Sequence, residues 1–187
     1  MSTSPRHSPI TVEQYEHFKG FRGLKDELIF GEIVLSPQPK PLHQQIAENI
    51  HRSLHTVLQG QPFAVKQNTN IRFRNAHSMP APDVLVTTRE QWMEACDSDS
   101  YLSAPPLLIV EVLSPANRRR RVEAKVQLYL ANGVKEVWLA SPKRKSVEVI
   151  RGDQTESRHQ HSIEESIALP QPLSGRVLVR PIFALND

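Results

Sequence analysis

Asp83, Glu111 and Lys125 are the residues whose types and positions suit a shared chemistry. Asp83 follows Pro82 and opens the apolar run Val84-Leu85-Val86. Glu111 lies inside Leu107-Leu108-Ile109-Val110-Glu111-Val112-Leu113, which is bounded by Pro105-Pro106 and by Ser114-Pro115. A short apolar run rich in β-branched residues predicts a buried strand. A charge inside such a strand is costly unless it is paired, protonated or bound to a metal. Glu111 is therefore a candidate site residue; the alternative is a glutamate at the strand's exposed end, paired with an arginine. Lys125 shares a predicted helical face with Val122 and Tyr129. Its stem either snorkels to solvent or carries the ammonium towards the two acids. Two acids and a lysine suit a hard cation such as Mg²⁺, which takes few carboxylate oxygens and leaves places for water and phosphate. Such an ion activates water and neutralises charge on a phosphodiester, while a lysine orients the water or stabilises the transition state.

The elements that must position these residues follow from periodicity. Residues 1–10 are polar and proline-rich and read as a flexible terminus, with 11–187 as a single domain. Thr11 to Phe18 predicts a short helix, with Thr11 and Gln14 as a capping box. Leu28 to Leu35 predicts a hairpin or bent strand, with Gly31 at its turn or bulge. Leu42 to Leu58 carries the strongest helical pattern, with Leu42, Ile46, Ala47, Ile50, Leu54, Val57 and Leu58 spaced by threes and fours. Phe63 to Lys66 and Asn70 to Arg74 predict strands, and Arg72 and Arg74 would make one face of the second cationic. Thr88 to Ala95 predicts a helix before a polar loop. Asn117 to Leu130 predicts another, capped by Asn117 and closed by Asn132-Gly133. Val134 to Ala140 and Ser146 to Ile150 predict paired strands across a turn at Pro142 to Lys145. Residues 153–166 read as charged and irregular, and Ile167 to Leu185 as packing back on the domain. This order suits an α/β fold, a mixed sheet flanked by helices.

Composition narrows the classes. At 187 residues and 39% apolar content the chain reads as globular, with core enough for one domain. Its one cysteine, Cys96, excludes an internal disulfide framework and a cysteine-based zinc site. No apolar run reaches transmembrane length and no signal pattern opens the chain, so the expected location is cytoplasmic, away from membranes. A net charge of +3 permits an anionic partner.

Pro82-Asp83 followed by Glu111-Val112-Leu113 resembles the PD-(D/E)XK nuclease motif. In that motif the lysine stands two residues after the second acid, where this chain has Leu113; Lys125 in the next helix looks like a migrated replacement. The run from Glu111 to Pro115, Lys125 with Tyr129, and Gly133-Val134 with Glu136, Trp138 and Leu139 extend the likeness, as do Glu27-Leu28-Ile29 with Gly31-Glu32, and Leu42-His43. Over nearly its whole length the chain resembles a large bacterial family of restriction-endonuclease-like proteins. The resemblance implies a restriction-endonuclease-like mixed central β-sheet flanked by helices, and a nuclease using Mg²⁺ or Mn²⁺ on nucleic acid, with DNA expected. It implies Asp83 and Glu111 as metal ligands, the Val112 carbonyl as a further ligand, and Lys125 as the catalytic lysine. Glu32, His43 and Tyr129 would support them; for Glu32 and His43 the alternatives are an exposed strand glutamate and a histidine near a helix start. Two departures stand out: Arg121 and Ser141, where relatives often carry acids.

Arg118, Arg119, Arg120 and Arg121 form a run at a helix N-terminus, where cations oppose the macrodipole. The run is either a solvated face or a phosphate-contacting surface, extended by Arg72, Arg74, Lys143, Arg144 and Lys145. Few aromatics lie beside it, so the sequence does not support base stacking there. The competing functions are a nuclease, a catalytically inactive nucleic-acid-binding module on the same fold, and an interaction protein that keeps buried acids; a homodimer is compatible with each. The expected signature of the first is that Lys125→Met spares folding and removes cleavage.

Overall fold

The computed structural model describes residues 8–114, 119–152 and 157–185. The elements are α1 (Val12–Glu16), β1 (Leu24–Ile29), β2 (Glu32–Pro37), α2 (Pro41–Val57), β3 (Phe63–Gln67), β4 (Val84–Thr88), α3 (Arg89–Asp97), β5 (Leu108–Val112) and α4 (Arg119–Ala131). They continue with β6 (Glu136–Ser141), β7 (Ser146–Arg151), β8 (Ser157–His161), β9 (Ser166–Ala168), β10 (Arg176–Leu178) and α5 (Val179–Ile182). Six strands form a mixed sheet in the order β3-β4-β5-β6-β7-β8. Only β5 and β6 are parallel, and α4 is the crossover that a parallel pair requires. This is the α/β architecture expected.

Buried residues of α2, the sheet and the C-terminal segment, among them Ile50, Leu54, Val110, Trp138 and Ile182, form one core layer. Ile109, Val126, Leu128, Tyr129, Val137 and Leu139 form a second, between the sheet and α4. The alternation along β5 explains both, since Leu108, Val110 and Val112 face α2 while Ile109, Glu111 and Leu113 face α4. The motif around Trp138 is structural: fully buried Glu136 accepts from Trp138 Nε1 at 2.6 Å and from Arg151 Nε at 2.5 Å.

Local signals behave as their chemistry dictates. Thr11 and Gln14 form the capping box of α1, and Thr88 and Gln91 form another on α3. The β1–β2 hairpin turns at Phe30 and Gly31, both at positive φ, and is longer than expected. A Cβ on Gly31 would lie 2.4 Å from the Pro9 side chain, so glycine is required there. Gly133, at φ +93, ends α4 as its type suggests. Asn117 lies outside the described residues.

Two expectations need correction. Asn70 to Arg74 is not a regular strand: Ile71 and Phe73 make isolated bridges, and the chain doubles back through a 3₁₀ turn at Arg74–Ala76 so that Phe73 pairs with Ser78. The burial of Ile71 and Phe73 survives without a ladder. Residues 153–166 include a strand that patterning does not show. β8 reads Ser-Arg-His-Gln-His and is held as a sheet edge by its backbone pairing with β7. No helix among the described residues is long and apolar enough to cross a membrane.

Candidate active site

The register Val84↔Val110 sets Asp83, one residue before β4, beside Glu111 near the end of β5. Asp83 is buried, and its Oδ2 accepts from the Val112 N–H at 2.7 Å, so the carboxylate is fixed to the neighbouring strand. His43, in the first turn of α2, brings Nε2 to 3.3 Å from the same oxygen. Lys25 on β1 donates to the Ala81 carbonyl at 2.8 Å and stands 3.9 Å from Asp83 Oδ1.

Glu111 is held from the other side by α4. Tyr129 donates its hydroxyl to Glu111 Oε1 at 2.6 Å, and Lys125 Nζ lies 2.7 Å from that oxygen. Lys125 and Tyr129 are four residues apart on one helical face, so both reach the same strand. The ammonium also bonds Glu27 Oε1 and Oε2 at 3.0 and 3.2 Å. Glu27 in turn accepts from the Ala81 N–H at 2.8 Å. The lysine side chain is 17% exposed and sits between two carboxylates rather than in solvent.

The two acids live in different fields. Burial pushes Glu111 above the usual carboxylate range, and the charges of Asp83 and Glu27 add to this against the pull of Lys125. Burial also acts on Asp83, but His43, Lys25 and the Val112 N–H together hold it below that range. Burial likewise opposes ionisation of Glu27, and Lys125 and Lys25 outweigh it. Burial pulls His43 down, while the bond and charge of Asp83 raise it overall. Lys125 is raised despite burial, by Glu111 and Glu27, and Tyr129 is raised by burial and Glu111. Neighbouring acids pulled in opposite directions are a feature of sites that do acid–base or metal chemistry.

The structure thus brings together Asp83, Glu111, Lys125, His43 and Tyr129. Glu32 stands apart, exposed beside the hairpin turn. Glu27 and Lys25, rather than Glu32, are the β1–β2 residues that reach Lys125 and Asp83. Strand alternation could have found both, since Lys25 and Glu27 share one face of β1 while Asp26 and Leu28 share the other. Leu113 lies on the same face as Glu111 and packs beneath α4, and Lys125 of that helix brings its ammonium to Glu111. Arg72 is paired with Glu16 at 2.5 Å and Arg74 with Glu13 at 3.4 Å, which gives both a use within the fold. Arg118 lies outside the described residues. Arg119, Arg120 and Arg121 are exposed at the start of α4, which follows the end of β5 that carries Glu111. Lys143, Arg144 and Lys145 are exposed in the turn after β6, whose Ala140 pairs with Val112. Ser141 shapes that turn by accepting from the Arg144 N–H at 3.3 Å.

A divalent ion fits the donor set in one way. Among the described residues no three His, Cys, Asp or Glu side chains converge into a cage. Asp83 Oδ1 and Glu111 Oε2, on adjacent strands, are the oxygens not held by the Val112 N–H, Tyr129 or Lys125, and the cation beside Oδ1 is Lys25. Two carboxylate oxygens with the remaining shell left to water and phosphate suit Mg²⁺ or Mn²⁺.

No curated protein matches the sequence significantly. A crystal structure from Anabaena variabilis ATCC 29413, described as a "putative nuclease belonging to DUF820", matches with a TM-score of 0.78 at 19% identity, over 94% of this chain and 98% of that one. That likeness is one of fold. The profile of the Uma2 family, described as "Putative restriction endonuclease", matches residues 12–180, and the chain belongs to that family.

Proposed function

We propose that this chain is a metal-dependent nuclease that hydrolyses phosphodiester bonds of nucleic acid, with DNA the expected substrate. The observation that carries this reading is Lys125 bridging Glu111 and Glu27 beside Asp83, so that the ammonium absent from the strand is present in space. Asp83 and Glu111 would hold Mg²⁺ or Mn²⁺, which when bound supplies an activated water and neutralises charge on the phosphate. His43 and the Val112 N–H keep Asp83 oriented and ionised. Tyr129 fixes Glu111 through Oε1 and leaves Oε2 for the ion. Lys125 holds its proton at Nζ and offers a preorganised positive charge where charge builds on the phosphate. Arg119 to Arg121 and Lys143 to Lys145, at the same end of the sheet, contact the nucleic-acid backbone. Residues 11–187 act as one domain.

An inactive binding module is the second reading. It is favoured by the completeness with which Lys125 is already paired. End-labelled single- and double-stranded DNA and RNA, incubated with Mg²⁺ or Mn²⁺, separate the two. Cleavage by the wild type that is lost in Asp83→Ala supports the nuclease. Binding without cleavage under every condition supports the module.

A further inference from the structure

The connection between α1 and β1 alternates rings with cations: Phe18, Lys19, Phe21 and Arg22, broken by Gly20 and Gly23. The rings form a ladder. Tyr15 and Phe18 are stacked with centroids 6.1 Å apart, and Phe18 and Phe21 are tilted at 5.2 Å. Tyr15 is buried, whereas Phe21, the outer rung, is 48% exposed. The two glycines, at φ +71 and +79, let the loop fold tightly, and the Leu24 N–H closes it on the Phe21 carbonyl at 3.1 Å. Lys19 and Arg22 are exposed, and neither has a carboxylate partner among the described residues. The nearby acids of α1 are already taken, Glu13 by Arg74 and Glu16 by Arg72.

The loop runs straight into the site. Lys25, whose ammonium is 3.9 Å from Asp83 Oδ1, lies four residues after Phe21, a backbone reach of at most about 14 Å. An exposed ring flanked by free cations is the arrangement that holds an unpaired base: the ring stacks on the base, and the cations meet the phosphates on either side. A duplex offers no free base face. A second copy of this chain would bring the same positive loop against itself.

We propose that this loop is a stacking platform for an unpaired base, so that the preferred substrate is a single strand or a strand with unpaired nucleotides. The proposal rests on the nuclease reading in placing the scissile phosphate near Asp83, but the platform can be measured without cleavage. The experiment uses the full chain in EDTA, with a fluorescein-labelled thymidine homopolymer and a mixed-sequence duplex of the same length, read by anisotropy. Phe21→Ala is expected to weaken single-strand binding about tenfold and leave duplex binding unchanged. Phe21→Trp is expected to retain affinity, with the fluorescence of the introduced indole quenched as the single strand binds. Equal single-strand affinity in wild type and Phe21→Ala overturns the proposal. So does an equal loss on both substrates, or the absence of nucleic-acid binding by the wild type. Loss of self-association in Phe21→Ala by sedimentation, with strand binding intact, assigns the face to a second copy and also overturns it. Cleavage with Mg²⁺ is scored separately. A protein that cleaves but ignores Phe21→Ala keeps the nuclease and loses the platform, and one that binds through Phe21 but never cleaves does the reverse.

Discussion

Lys125 is the residue whose substitution tells most. Sequence alone suggests that Lys125→Met spares folding and removes cleavage, because the ammonium is expected to serve the scissile phosphate rather than the core. Its ammonium instead compensates two buried carboxylates, Glu27 and Glu111. Removing one partner of a buried ionic cluster costs about 3–5 kcal/mol, because the remaining charges stay uncompensated. Lys125→Met is therefore expected to melt well below the wild type in calorimetry. Adding Glu27→Gln should restore part of the loss, by deleting the charge that the lysine had balanced. Full additivity of the two substitutions would contradict the coupling. The metal gives a second check at this scale. If Asp83 and Glu111 share an ion, Mg²⁺ or Mn²⁺ at about a hundred times its Kd should stabilise the protein by ~2.7 kcal/mol. Glu111→Gln should abolish that shift. An undiminished shift in the variant places the ion elsewhere.

At the scale of elements, helices announced themselves and edges did not. The spacing of Ile46, Ile50 and Leu54 is dictated by one buried face, so α2 was legible to within a residue or so. The central strand was equally plain, because both its faces are buried and its sequence is apolar throughout except at Glu111. β8 was not legible, since Ser157 to His161 has no apolar face and owes its conformation to β7. The same limit applied to the site. Asp83, Glu111 and Lys125 could be read because each interrupts an apolar pattern. Glu27 was named only as part of a motif and given no role, because polar and apolar residues mix along β1 and only the face it shares with Lys25 marks it out. Gly31 tests how the hairpin is held. Gly31→Ala meets Pro9 at 2.4 Å as well as an unfavourable φ of +77, whereas Gly23→Ala at φ +79 meets nothing within 4 Å. Chemical denaturation should show the first costing more than the second, whose penalty is about 1 kcal/mol from backbone strain. Equal penalties would mean that the N-terminal segment yields freely.

Across the whole molecule, charge is unevenly placed. A formal +3 is small for the chain, but the arginines opening α4 and the turn after β6 lie at the end of the sheet where the acids are. Arg72, Arg74, Arg151 and Arg158 are by contrast each paired with an acid of the chain itself. If the first group meets phosphates, Arg120→Gln with Arg121→Gln should weaken nucleic-acid binding similarly across sequences. The pair should lower the slope of log K against log salt by about 0.9 for each phosphate no longer neutralised on a duplex, or ~0.7 on a single strand. An unchanged slope would make that run a solvated face.

The hairpin that supplies Lys25 and Glu27 forms its own two-stranded ladder and is joined to the rest of the described backbone by few bonds, such as Met79 N–H to Leu28 O and Gly31 N–H to His77 O. Its amides should exchange with solvent deuterium earlier than those of β5 and β6, which lie inside the six-stranded sheet. Because the hairpin brings one cation and one anion to the site, its detachment leaves the formal charge around Asp83 and Glu111 unaltered while exposing them to water. Opening this wall separates Glu27 from Lys125 and Lys25 from Asp83, so those ion pairs and the small apolar cluster of Val12, Tyr15, Leu28 and Met79 hold it closed together.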